Sequence, residues 1–191
     1  LLSDANTFVP QMNKEDIESL RKVSLLNLES LPLPEPISKD VIGIVNAVRR
    51  NIGVNKFLFE GAPGTGKTET TKQITRLLER ELYIVDFEAI VDSKLGQTSK
   101  NIASLFKEIT SFSKPNRVVI LFDEIDAIAL NRLDTNDLRE MGRATSAILK
   151  GIDSLNNEVV LIATTNLFDV FDKALIRRFD AVINFNNYNQ D

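Results

Sequence analysis

Val118-Val119-Ile120-Leu121-Phe122 is apolar at every position and then breaks at once into Asp123-Glu124. A strand with one wet face alternates apolar and polar side chains. A run that is apolar throughout fits a strand covered on both faces, as in a parallel sheet between two layers of helix. Val159-Val160-Leu161-Ile162-Ala163 repeats the pattern and ends in Thr164-Thr165-Asn166. Runs at Phe57–Phe59, Leu82–Val85 and Ala181–Phe185 complete the set. Between them apolar residues recur at helical spacing. The groups are Val41, Ile44, Val45, Val48 and Ile52 behind a Ser38 cap; Ile74, Leu77 and Leu78; Ile102, Leu105, Phe106 and Ile109 behind Thr98 or Ser99; and Leu138, Met141, Thr145, Ile148 and Ile152. Strands alternating with helices predict an α/β fold.

Residues 1–36 read differently. Ile17, Leu20, Ser24 and Leu28 fall near one helical face. Leu31-Pro32-Leu33-Pro34-Glu35-Pro36 then places three prolines within five residues, which removes backbone donors and disfavours helix before each ring. The expected organisation is an N-terminal helix and Pro-rich linker over 1–36, followed by one core domain over 37–191, a length that suits a single sizeable core.

Composition narrows the chemistry. The chain has no Cys and no His, which excludes disulfides, Cys/His zinc sites and Cys or His nucleophiles. Any general base is therefore a carboxylate or a lysine. The 23 basic and 27 acidic residues are mixed throughout, for a net charge of −4, so the clustered basic face of a nucleic-acid binder is not indicated. No apolar stretch approaches the ~20 residues that span a bilayer. Leu1-Leu2 gives way to Ser3-Asp4-Ala5-Asn6 without a secretion signal, so a cytoplasmic protein is expected. Leu1 in place of Met reads as a fragment or a processed chain.

The first chemical motif is Gly61-Ala62-Pro63-Gly64-Thr65-Gly66-Lys67-Thr68, which fits G-x-x-x-x-G-K-[ST] in full. Glycines let the backbone curl until consecutive N–H groups face phosphate oxygens, and the positive end of the next helix adds to them. Lys67 is placed to reach the β and γ phosphates and Thr68 to offer its hydroxyl to Mg²⁺, and Glu69, next in the first helical turn, is counted with Gly61–Thr68 among the nucleotide-binding residues. A strand before and an amphipathic helix after separate this loop from a chance Gly-rich turn.

The second motif is the acidic pair at the end of the Val118–Phe122 run. Ligands of open α/β sheets bind beyond the carboxyl ends of the strands. Asp123 there would hold Mg²⁺, and Glu124 would orient or deprotonate a water. Acidic residues also favour helix N-termini, and Asp123-Glu124-Ile125-Asp126 alone fits either reading; the phosphate loop favours the first. Asp126 reads as local support. Asn166 ends its strand on the same edge, where an amide could bond both a γ-phosphate and a water, although a turn Asn is the simpler reading of that residue alone.

Taken together these residues resemble the AAA ATPase family, from about Ile37 to Phe185. Gly61–Thr68 resembles Walker A, Ile120–Asp126 resembles Walker B, and Ala163–Asn166 resembles the sensor-1 strand, with Asn166 as sensor. Asp172–Asp180 resembles the arginine-finger segment. The resemblance implies a P-loop NTPase, a three-layer α/β/α sandwich with five parallel strands in the order 5-1-4-3-2. It implies ATP/ADP and Mg²⁺ as cofactors and self-assembly into a ring, usually of six subunits. It also implies that Arg177 and Arg178 act on a neighbour's ATP, with the principal finger left open between them. Lys94-Leu95-Gly96-Gln97-Thr98 resembles the substrate-threading pore loop, but Lys94 stands where the family often has an aromatic, and Gln97 where it often has Glu. An aromatic grips extended polypeptide by area and rigidity, which a lysine does less well. The resemblance also implies a helical lid that completes the family's site, which is not expected within residues 37–191.

The expected activity is ATP hydrolysis coupled to remodelling another macromolecule, most simply a protein. Rival readings on the same core are a DNA-transaction ATPase of helicase or clamp-loader type, a nucleotide-gated switch with little turnover, and a small-molecule P-loop kinase.

Overall fold

The computed structural model describes residues 20–25, 33, 35–91, 96–128, 138–166 and 173–188. Its strands are β1 (Leu20–Val23), β2 (Lys56–Glu60), β3 (Glu81–Asp86), β4 (Val118–Asp123), β5 (Val160–Thr165) and β6 (Ala181–Asn184). Its helices are α1 (Glu35–Arg49), α2 (Lys67–Leu77), α3 (Phe87–Ile90), α4 (Gln97–Thr110), α5 (Leu138–Asp153) and α6 (Lys173–Ile176). The strands form one sheet in the order β1-β3-β4-β5-β2-β6. The five strands from β2 onward are parallel and keep the expected relative order.

The sheet differs from expectation at one edge, where β1 adds a sixth, antiparallel strand to β3, with Leu20 opposite Val85 and Val23 opposite Leu82. The helical face read through Leu20 is therefore corrected at residues 20–23. Those four residues pair along the open edge of β3, and an exposed Lys22–Glu81 pair at 3.2 Å adds little to that.

Alternate residues along each strand enter opposite cores, as the pleat requires. Phe57, Phe59, Leu82, Ile84, Val119, Leu121, Val160 and Ile162 pack with Ile37, Val41, Ile44 and Val45 of α1 and Ile74 of α2. Leu58, Tyr83, Val85, Ile120, Phe122, Leu161 and Ala163 pack with Ile102, Leu105, Phe106 and Ile109 of α4 and Ala144, Ile148 and Ile152 of α5. Each helix thus buries one apolar stripe and the sheet is covered on both sides.

Three helical details are corrected. α1 begins at Glu35 with Pro36 in its first turn, where a missing N–H costs nothing; Ser38 lies inside the helix and donates to the Leu33 carbonyl at 3.2 Å. Ile52 falls beyond α1 and is exposed. Leu77, the last residue of α2, turns to solvent, leaving Ile74 in the core and Leu78 packed at its margin.

Candidate active site at the carboxyl edge of the sheet

Parallel pairing brings the strand ends to one edge. Asp86 pairs with Asp123, and Glu60 with Thr165. Whatever follows β2, β4 and β5 is therefore delivered to a common place.

After β2 the chain enters the phosphate loop. Gly61 donates its N–H to the Thr165 carbonyl at 3.1 Å, which ties the loop to β5. Its φ of 154° and the absence of a side chain both matter, since a Cβ there would lie 2.9 Å from that of Phe185. The Asn186 side-chain oxygen accepts the Ala62 N–H at 2.9 Å, and Thr65 donates its hydroxyl to the Ala62 carbonyl at 2.8 Å. Pro63 and Gly64 form an exposed turn. Gly66, left-handed at φ 92°, then starts α2 without a side-chain cap, so the first N–H groups of that helix are available to an anion.

Lys67 is buried at the first turn of α2. Its ammonium donates to the carbonyls of Gly61 and of Ala62 (3.0 Å) and to Asn166 Oδ1 (2.8 Å). All three of its protons are thus spent inside the loop. Burial lowers its pKa from the ordinary lysine value, against the opposing pull of Asp126, Asp123 and Glu124. Glu69, half-buried, accepts from Gln73 at 3.3 Å and points along α2.

Thr68 donates to Asp123 Oδ1 at 3.5 Å, a long contact that leaves both oxygens close to one point. Hard oxygen donors of this kind suit Mg²⁺, which is commonly held by one or two protein oxygens plus phosphate and water. Among the described residues no cluster of three or more His, Cys, Asp or Glu forms a protein-only metal cage. The donor set fits an ion brought in with a triphosphate.

Glu124 follows Asp123 with φ 51°, a left-handed conformation that a residue with a Cβ rarely adopts and that costs ~1–2 kcal/mol. Its N–H is taken by Thr164 Oγ1 at 2.9 Å, and the next N–H, of Ile125, by the Thr164 carbonyl at 3.0 Å. The side chain is exposed, yet the protein around the carboxyl strips enough water to raise its pKa above the usual carboxylate range. Like charges on Asp123, Glu88, Asp126 and Asp86 add to that rise. Asp126 is buried beside this cluster, with Oδ1 unpartnered among the described residues, and is the largest charge acting on Lys67.

Arg177 and Arg178 lie in the turn after α6, away from these groups. Arg178 donates through Nε to Asp153 Oδ1 at the end of α5 (2.9 Å) and through a terminal nitrogen to the Ala174 carbonyl (3.4 Å). Arg177 is exposed, and its side chain has no hydrogen bond or ion pair among the described residues. Asp180 fastens this turn to the sheet: its carboxylate accepts the N–H groups of Asn55 (2.9 Å) and Lys56 (3.0 Å), the start of β2. Gly96 is left-handed at the start of α4, while Lys94, Leu95 and Asp172 lie outside the described residues.

The reading of the sequence passed over two contributors to this edge. Asn186 holds the phosphate loop and Thr164 holds the acidic turn. Their side chains reach across strands, and no spacing along the chain announces such partners.

A parallel sheet with a phosphate loop after one strand and an acidic pair after the strand two places away defines a P-loop nucleotide triphosphatase. The family model for "ATPase family associated with various cellular activities (AAA)" matches residues 57–187. The chain belongs to the AAA family. It is 37% identical over 131 residues to the AAA family ATPase y4kL of Sinorhizobium fredii, covering 69% of this chain and 38% of that protein. It is 34% identical over 130 residues to a putative 26S proteasome regulatory subunit homolog of Methanothermobacter thermautotrophicus, covering 67% and 34%. Peroxisomal ATPase pex6 of Schizosaccharomyces pombe matches at 30% over 182 residues, covering 92% of this chain and 18% of that protein. The chain therefore spans well under half the length of these relatives. A chain of the E. coli MS115-1 HORMA:CdnC:Trip13 complex shares the fold, with a TM-score of 0.60 at 19% identity over 79% of this chain and 61% of that one. Among the described residues no helix is long and apolar enough to cross a membrane.

Proposed function

We propose that this domain binds Mg-ATP and hydrolyses it to ADP and phosphate, and that a ring of subunits couples the reaction to remodelling a protein. The observation that carries the reading is the meeting of Lys67, Thr68, Asp123 and Asn166 at one sheet edge, with Lys67 2.8 Å from Asn166 and Thr68 3.5 Å from Asp123.

The phosphates would enter above the start of α2, where the N–H groups after Gly66 are unspent. Lys67 would leave the Gly61 and Ala62 carbonyls and follow the β and γ oxygens, a change favoured by exchanging neutral acceptors for charged ones. Thr68 and Asp123 would hold Mg²⁺, which when bound neutralises charge on the phosphates. Glu124 would take the proton of the attacking water, and Asn166, released by Lys67, would contact the γ-phosphate. Charge at the γ-phosphoryl group would be met by a neighbour's arginine. Arg177 is the better placed of the two, because Arg178 is already paired with Asp153.

Protein as the remodelled substrate is supported by the similarity to a putative 26S proteasome regulatory subunit homolog and by the mixing of basic and acidic residues along the chain. ATP and ADP binding should survive Glu124→Gln while phosphate release falls ~10²–10⁴-fold, the usual contribution of a positioned base. Wild-type turnover by that variant would refute the assignment. Stimulation by DNA greater than that by unfolded protein would favour the DNA-transaction reading instead.

A further inference from the structure

Asp123 and Glu124 sit on β4, but what holds them is on β5. Thr164 is 1% exposed and lies in the buried run Val160–Thr165. Its hydroxyl donates to Asp123 Oδ1 at 2.8 Å and accepts the Glu124 N–H at 2.9 Å. Its carbonyl accepts the Ile125 N–H at 3.0 Å. One residue thereby meets three consecutive residues of the acidic turn. A hydroxyl is the group that serves here, since it donates one proton and accepts at the same time. Threonine is also stiff about its first side-chain bond, so the direction of the hydroxyl is set by the strand.

We propose that Thr164 is a positioning residue for ATP hydrolysis, fixing which oxygen of Asp123 is turned toward the cation and locking the left-handed backbone that aims Glu124. With Oδ1 engaged by Thr164 and more weakly by Thr68, Asp123 keeps Oδ2 without a hydrogen bond among the described residues. With its N–H captured, Glu124 is held at φ 51°. Without the hydroxyl, that N–H and Asp123 Oδ1 both lose their nearest partner, and the turn is free to relax toward a commoner conformation. The inference rests on the roles proposed above for Asp123 and Glu124.

The test compares Thr164→Val, which keeps the shape and removes the hydroxyl, with Thr164→Ser, which keeps the hydroxyl. In Thr164→Val, kcat should fall ~10–100-fold, the scale on which a partner of a metal ligand acts. The Mg²⁺ concentration for half-maximal binding of a fluorescent ATP analogue should rise, while affinity for the same analogue in EDTA stays within about twofold. Exchange of the Glu124 amide proton in the nucleotide-free protein should quicken. Thr164→Ser should recover most of kcat and the Mg²⁺ dependence.

A Thr164→Val enzyme with wild-type kcat and Mg²⁺ dependence would overturn the proposal, and so would a Ser variant as impaired as the Val one, since packing would then be the cause. Glu124→Gln in the same assay separates the two levels. If it is inactive while Thr164→Val is normal, only the inference about Thr164 fails. If it turns over normally, the site assignment itself fails.

Discussion

Glu124 carries the conflict at the centre of the site. Loss of water and, after it, four neighbouring carboxylates raise its pKa, and its backbone is left-handed besides. A base must be deprotonated to act, so the rate should rise with pH along an acid limb centred above the ordinary glutamate value. A pH–rate profile under saturating ATP checks this, and Glu124→Gln should abolish the limb along with the rate. Stability runs the other way. Because the folded protein binds this proton more tightly than the unfolded chain, stability falls as pH rises from the ordinary carboxylate pKa through the raised one. At neutral pH the charge is a burden, and Glu124→Gln should melt at a higher temperature than wild type without nucleotide, the common exchange of stability for function. A lower melting temperature would show that the like charges are better screened than the geometry suggests. At this scale the sequence was informative about which residues act and silent about what steadies them. Lys67, Thr68, Asp123 and Glu124 announce themselves by spacing. The Thr164 hydroxyl and the Asp153 partner of Arg178 do not, because each contact joins residues 25 or more positions apart.

Among the elements, the strands were legible because complete apolarity has few explanations other than burial on both faces. The helices were legible in their stripes and less so in their ends. Leu77 looked like part of the α2 stripe by spacing but falls on the last turn, where the helix has already rotated it outward. The strand β1 was not legible at all. Leu-Arg-Lys-Val has weak preference of its own, and it becomes a strand only because β3 offers an unpaired edge. The packing of α4 against α5 also rests on a feature with no sequence signature. Gly151 lets the Phe106 ring lie directly on the α5 backbone, and a Cβ at that position would overlap the ring. Phe106 is itself wedged edge-on against Phe122 of β4, with centroids 5.7 Å apart, so it has little room to withdraw. Gly151→Ala should therefore destabilise the domain by ~1–3 kcal/mol despite the gain in helix propensity. A urea midpoint at or above that of wild type would contradict this contact.

At the scale of the whole molecule, the proposed mechanism makes assembly and turnover inseparable. Arg177 is exposed without a side-chain partner among the described residues and Arg178 is held by its own chain, so on the proposed mechanism charge compensation at the γ-phosphoryl group would come from a second subunit. Arg177→Ala should lose most of the rate, within the ~10³–10⁵ range known for such arginines, and Arg178→Ala should lose less. Mixing inactive Arg177→Ala with inactive Glu124→Gln should restore phosphate release, because one kind of interface in the mixture joins an intact base to an intact arginine. No recovery on mixing would place the arginine's action within one chain. The sheet borders bear on assembly in another way. With residues 1–25 removed, β3 would present a bare row of N–H and carbonyl groups, and light scattering should report self-association that the parent protein lacks. In the parent β1 covers that edge of β3, and among the described residues the sheet ends at β1 on one side and β6 on the other. Both borders are thus strands of only four residues, where the bare β3 would offer six, so an added strand finds few main-chain partners at either end of the sheet.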